Sequence, residues 1–258
     1  MKSTGRDFQV LQLRLVECRL CPRLVEWRER MACQKVKRFR GEKYWGRPVP
    51  AFGDADASLI IIGLAPAAHG ANRTGRMFTG DRSGEWLYEA LHRFGFANRT
   101  ESRHRGDGLR LHDCLITASI RCAPPGNKPT PEELSNCRHY LIEELKLLRR
   151  KRVVVALGQV SFRAFLNAWR DLGGNLPEGR LQFCHGGEWR LGGGLILLSS
   201  YHPSQQNTQT KRLTRLMFNR IFRRARSLLD SSPRPHHKER SSIYLGENVD
   251  SGREWCKN

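Results

Sequence analysis

The chain has 258 residues, enough for one sizeable core or two small ones. Lys and Arg number 45 against 25 acids, a net charge of +20, and that excess points to a polyanionic partner. No run of about 18 apolar residues occurs and the N-terminus lacks an apolar secretory core, so neither a membrane span nor export is expected; a cytoplasmic monomer is.

Residues 7–31 carry a helical pattern through Phe8, Leu11, Leu15 and Val16, interrupted at Cys18-Arg-Leu-Cys21-Pro22 and resumed to Arg30. A basic loop from Lys35 to Arg47 follows, with Glu42 as its single acid. Four short apolar runs read as buried strands: Ser58–Leu64, Cys114–Ile120, Arg152–Leu157 and Leu195–Tyr201. Helical patterns lie between them at Ser83–Phe94, Pro131–Arg150 and Gln159–Trp169. This alternation predicts an α/β fold, a three-layer α/β/α sandwich around a four-stranded parallel sheet. A last helix is expected over Thr208–Leu229, carrying Lys211, Arg212, Arg215, Arg220, Arg223, Arg224 and Arg226. Residues 1–230 are read as one domain and 231–258, without periodicity, as a disordered tail. That tail holds five basic residues against four acids, so the excess charge belongs to the folded body.

Eight cysteines in a chain expected in a reducing compartment favour metal ligation over disulfides. Cys18 and Cys21 form a close pair, and Cys122 and Cys137 bracket a Pro-rich turn, Cys122-Ala-Pro-Pro-Gly-Asn-Lys-Pro. Two close thiols set against a distant third and fourth suit a tetrahedral metal centre or a cluster. Cys33, Cys114, Cys184 and Cys256 lack such a context and read as ordinary thiols.

The first strand runs into Gly63-Leu-Ala-Pro-Ala-Ala-His-Gly-Ala-Asn-Arg-Thr-Gly-Arg-Met-Phe-Thr-Gly-Asp81. A small-residue loop at the carboxyl end of a sheet strand is where open α/β folds bind ligands. It contains neither a dinucleotide fingerprint nor a phosphate-cradling lysine motif. Phe78 stands in a polar stretch and suits stacking on a base. The fourth strand ends in Ser199-Ser-Tyr-His202-Pro-Ser-Gln-Gln-Asn207, so parallel strands would bring His202 to the same edge. A neutral histidine there can donate to an oxygen that gains negative charge. Asp81 offers a carboxylate for catalysis and, equally, a cap for the helix beginning near Ser83.

Together, Gly63–Asp81, the cysteine set, the Cys122 turn and His202-Pro-Ser-Gln-Gln-Asn resemble the uracil-DNA glycosylase superfamily, nearest its iron–sulfur family 5, or type B, with family 4 as close kin. The resemblance spans roughly Leu15 to Leu228. It implies a 4Fe-4S cluster held by Cys18, Cys21, Cys122 and Cys137, although structural zinc would use the same residue types. It implies hydrolysis of the N-glycosidic bond of a deaminated base flipped out of double-stranded or single-stranded DNA, initiating base excision repair. On that reading Gly63, Ala65, Ala68, Phe78 and Asn127 line the base pocket and His202 and Asp81 are catalytic. Ser204, Gln205, Asn207, Lys211 and Arg212 contact DNA. The related branches place a base-reading Asn at the end of the third-motif strand, where this chain has Thr117-Ala118-Ser119. Ala118 cannot read a base edge, so a tolerant pocket accepting uracil and also hypoxanthine or xanthine is expected. The competing reading is a metal-stapled DNA-binding module without catalysis, which has no need of His202 beside a small-residue loop.

Overall fold

The computed structural model describes residues 3–231, with side chains from Gly5 onward. Helix α1 (Ser3–Val16) and helix α2 (Pro22–Gln34) are separated by the Cys18–Cys21 turn, with Pro22 opening α2 at the first helical turn, where its missing N–H costs nothing. Strand β1 (Phe52–Gly53) precedes β2 (Leu59–Gly63), the short helix α3 (Ala71–Thr74) and α4 (Arg82–Arg93). After β3 (Cys114–Ala118) come α5 (Pro131–Leu147), β4 (Val153–Leu157), α6 (Gln159–Asp171), β5 (Glu188–Arg190), β6 (Ile196–Ser200), α7 (Gln205–Gln209) and α8 (Arg215–Asp230).

The sheet has six strands in the order β1-β3-β2-β4-β6-β5. Its centre is the expected parallel set, with Ile61 paired to Ile116 on β3 and to Val155 on β4, and Val155 to Leu198 on β6. The expected count of four needs correcting: β1 and β5 add antiparallel edges. At two and three residues, with β5 half-exposed, neither edge strand shows an apolar run to read.

Fully buried Leu, Ile and Val on the central strands account for both covered faces. Leu59 and Ile61 point into one core with Leu87 and Leu91 of α4 and Phe218 and Phe222 of α8. Ile60 and Ile62 point into the other, with Leu141 and Leu145 of α5 and Phe162 and Phe165 of α6. This is the three-layer α/β/α sandwich. β2 leads through α4 to β3 on one side, whereas β4 leads through α6 to β6 on the other. The topological switch point therefore lies between β2 and β4, and crevices at such points bind ligands.

The single helix expected over Thr208–Leu229 is instead two, α7 and α8, with Lys211 in the left-handed region (φ 57°) between them. Local side-chain bonding breaks it. Thr208 and Thr210 hydroxyls bond back to the carbonyls of Ser204 and Gln206 at 3.1 and 2.6 Å, and Thr214 caps α8 by accepting from the Met217 N–H at 3.3 Å. No described helix is long and apolar enough to cross a membrane. Beyond Ser231 the expected tail, with Cys256, lies outside the described residues.

Candidate active site and cysteine cavity

At the carboxyl end of β2 the chain turns at Gly63, passes through Leu64–Gly70 into α3, and returns at Phe78. The Phe78 backbone is left-handed (φ 53°), a conformation that costs an L-residue about 1–2 kcal/mol. Its surroundings fix it there. Tyr88 donates to the Met77 carbonyl at 2.7 Å, and the buried Arg76 donates to Thr79 Oγ1 at 2.9 Å and ion-pairs with Asp107 at 2.6 Å. A second buried arginine, Arg73, donates to the His69 carbonyl at 2.8 Å and pairs with Glu42. The aromatic ring lies against Gly63, where an added Cβ would come within 2.8 Å of Cε2. Gly63 is thus needed because the ring rests directly on the strand.

Phe78 stacks on His202, with ring centroids 5.8 Å apart and planes inclined by 27°. The two residues singled out at separate strand ends therefore meet at one edge. His202 leaves β6 two residues past its end, followed by the buried Pro203, and Asn207 Nδ2 donates to its carbonyl at 2.8 Å. Burial pushes the imidazole pKa down to about 4, so near neutral pH the ring is an uncharged hydrogen-bond donor.

Asp81 takes up the capping position: its Oδ1 accepts from Gly84 N–H at 2.9 Å at the start of α4. Its Oδ2 lies against Gly70, where any side chain would collide with it. Burial raises this carboxyl above its ordinary value. Ala65 and Ala68 are half-exposed on the same loop, and the Ala68 carbonyl accepts from Asn72 Nδ2 at 3.4 Å. Asn127 is exposed in the Pro125–Asn127 turn beyond the carboxyl end of β3, the neighbour of β2.

Of the residues expected to touch DNA, Ser204 caps α7 and Asn207 is committed to the His202 carbonyl. Gln205 is exposed and, with Asp81, Arg38, Arg82, Arg103 and Arg215, lines a groove of about 1240 Å³ that also carries Glu42, Glu85, Glu89 and Glu101, with Arg103 paired to Glu101 and Arg215 to Glu89. Lys211 and Arg212 are exposed, and the Arg212 guanidinium sits 4.6 Å from the Tyr201 ring centre. The sequence reading missed the bracing pair Arg73 and Arg76. Two arginines in a basic chain carry no signal of burial. On the same loop His69 Nδ1 lies 3.1 Å from the Tyr44 hydroxyl.

Cys18, Cys21, Cys122 and Cys137 line one cavity, closed by Leu24, Val25, Ile120 and Tyr140. They arrive from the α1–α2 turn, the segment after β3 and helix α5. Burial pushes the Cys122 thiol up to about 11 and the Cys137 thiol up to about 12. Arg28, fully buried, donates to Cys122 Sγ at 2.9 Å and to the Cys18 carbonyl at 3.2 Å, while its Nε has no hydrogen-bond partner among the described residues. A second buried guanidinium, Arg121, also lines the cavity and pairs with Glu144. Among the described residues no three His, Cys, Asp or Glu side chains are arranged to hold a metal ion. The four cysteines line this one cavity with two buried arginines beside them. Four thiols are a donor set that suits a thiolate-ligated metal centre or cluster. Cys33 is half-buried, Cys114 buried and Cys184 exposed, all apart from this cavity.

The sequence matches the family model described as the Uracil DNA glycosylase superfamily over residues 50–226. It is 52% identical over 214 residues to a type-5 uracil-DNA glycosylase of Thermus thermophilus, covering 83% of this chain and 94% of that protein. It is 51% identical over 212 residues to the type-5 enzyme of Mycobacterium tuberculosis, covering 82% and 78%. A type-4 uracil-DNA glycosylase of Pyrobaculum aerophilum is 32% identical over 170 residues, or 63% of this chain and 74% of that one. The chain belongs to the uracil DNA glycosylase superfamily, within its type-5 family.

Proposed function

We propose that this protein is a monofunctional DNA glycosylase that everts uracil from DNA and hydrolyses its N-glycosidic bond, the first step of base excision repair. The observation that carries the reading is the stack of Phe78 on His202 at the carboxyl edge of the sheet, 5.8 Å between centroids, beneath the Gly63–Gly70 loop. A base inside a duplex is out of reach, so the nucleotide must leave the stack. The phenyl ring of Phe78 receives its face, and the backbone of the Ala65–Gly70 loop lines its edge. Breaking the bond leaves positive charge on the sugar and negative charge on the departing base. The neutral His202 donates to the base oxygen as that charge grows, a contribution of about 2.7–4 kcal/mol by analogy with oxyanion holes. Asp81, with one oxygen fixed on the cap, offers the other to the sugar cation or to the attacking water.

Ala65 and Ala68 leave the rim without a side chain that discriminates between base edges, and Ala118, buried at the end of β3, supplies none from below, which supports acceptance of hypoxanthine and xanthine as well. Asn127 is the polar group that can approach from the β3 side. Phosphate contacts fall to Gln205, Lys211, Arg212 and the cations of the adjoining groove, with Ser204 and Asn207 shaping that loop. Both double-stranded and single-stranded DNA fit an open groove of this kind, and residues 1–230 work as one unit, a cytoplasmic monomer.

Cys18, Cys21, Cys122 and Cys137 would hold a 4Fe-4S cluster, which when bound supplies a structural link between the α1–α2 turn and the loop bearing Asn127. Arg28, which already donates to Cys122 Sγ, offsets part of its negative charge. The test is incubation with oligonucleotides bearing uracil, hypoxanthine or xanthine, followed by alkaline cleavage at abasic sites. Strand scission at uracil is expected; intact strands with all three bases overturn the reading in favour of a binding module.

A further inference from the structure

Every backbone carbonyl from Ser200 to His202 is engaged. The Ser200 carbonyl accepts from Gly158 N–H at 2.8 Å, the Tyr201 carbonyl from Ser200 Oγ at 2.9 Å, and the His202 carbonyl from Asn207 Nδ2 at 2.8 Å. The Tyr201 N–H donates outside this segment, to Nδ1 of His185 at 3.1 Å. His185 sits in the Cys184–Gly187 turn that leads into β5. That turn is laced to β6: Gly186 N–H donates to the Ser199 carbonyl at 2.9 Å, Ser199 N–H to the Gly187 carbonyl at 3.0 Å, and Ser199 Oγ to the Cys184 carbonyl. The His185 ring also stacks on Tyr201, with centroids 5.1 Å apart and planes at 22°.

We infer that His185 is a positioning residue for His202, locking the peptide that enters the catalytic histidine through its Nδ1 lone pair. An imidazole accepts at Nδ1 only when its proton is on Nε2. The bond from Tyr201 N–H thus selects the neutral tautomer protonated at Nε2. Burial of the ring lowers its proton affinity and keeps it in that form. The end of β6 is thereby fixed from the β5 side, while Phe78 meets His202 from the β2 side. A displaced reacting group of about 1 Å can cost roughly 100-fold in rate, so the lock acts on turnover and not on DNA affinity.

This inference rests on the glycosylase reading, and two substitutions separate its parts. His185→Phe keeps a ring on Tyr201 and removes the acceptor; His185→Asn keeps an acceptor near Nδ1 and removes most of the ring. Single-turnover cleavage of a uracil duplex should fall about 10- to 100-fold in His185→Phe, with DNA affinity unchanged, and return to within about threefold of wild type in His185→Asn. Equal rates in all three proteins, or equal losses in both variants, would overturn the lock. The nitrogen resonances of the His202 imidazole provide a readout independent of cleavage: they should shift in His185→Phe and stay near wild type in His185→Asn. Identical resonances in all three proteins would sink the inference even if the wild type cleaves no uracil; a cleavage-inactive wild type with the expected shifts would sink only the glycosylase reading.

Discussion

The pocket and the cysteine cavity are built on opposite principles. Around Phe78 and His202 the protein supplies both halves of its contacts: Tyr88 and Arg76 brace one residue, Asn207 and His185 the other, and the two rings meet directly. Around Cys122 and Cys137 it gathers groups that burial penalises, thiols pushed up to about 11 and 12 beside a buried guanidinium with an unpartnered Nε. The first region is held by chain-to-chain bonds. The second, on the reading proposed here, is completed by a ligand. Damage to the second should therefore be global, and damage to the first local.

The largest effect is expected from Cys122→Ser, which should bleach the brown colour of the purified protein, deplete its iron and impair folding, because metal binding and folding are coupled in such sites. Colourless wild type carrying zinc would refute the cluster and leave only the staple. His202→Ala should slow single-turnover cleavage by one to three orders of magnitude, about 1.4–4 kcal/mol, with iron content unchanged. An unaltered rate would remove His202 from the chemistry. The pH behaviour has a definite sign. The folded pKa near 4 lies below the ordinary value of 6.5, so the stability tied to neutral His202 is complete above about pH 6.5 and is lost as pH falls through about 4. The His202-dependent rate should accordingly hold down to about pH 5, and a fall centred at pH 6.5 would contradict the burial.

A smaller effect, about 1–3 kcal/mol in stability, is expected from Gly63→Ala, whose methyl meets the Phe78 ring. Cleavage should weaken while the iron stays in place, and concurrent iron loss would show that the two regions are not independent. Smallest of all, replacing Lys211 and Arg212 by Ala should reduce the salt slope of DNA binding by about one per residue, leaving cleavage of bound DNA intact. Equal slopes would make them a solvated face.

Much of this layout was legible because it rests on long, strongly patterned segments. The runs Leu59–Ile62 and Val153–Leu157 are apolar throughout, so central parallel strands followed from them, and strand parallelism alone placed the Gly63 loop and His202 at one edge. The two edge strands were too short to leave a period. The break between α7 and α8 depends on hydroxyls bonding to carbonyls one turn back, which a basic stretch with helical intervals conceals. Asp81 could be read as cap or catalyst from its position before Ser83; the structure shows the cap, through Oδ1, and the catalytic role is a proposal for Oδ2. His185 was invisible for another reason: its importance lies in contacts made across 16 positions of chain, and nothing in Phe-Cys-His-Gly-Gly announces them.

The missing side chain at Gly63 has a consequence for how such a pocket diversifies. Because the phenyl ring beds directly onto the central strand, the depth of the recess is set by the sheet and not by the surface loops. On the glycosylase reading proposed here, selectivity among bases falls to the residues around the opening, Ala65, Ala68 and Asn127. On that reading, exchanges at those positions retune the range of lesions accepted without disturbing the Phe78 platform.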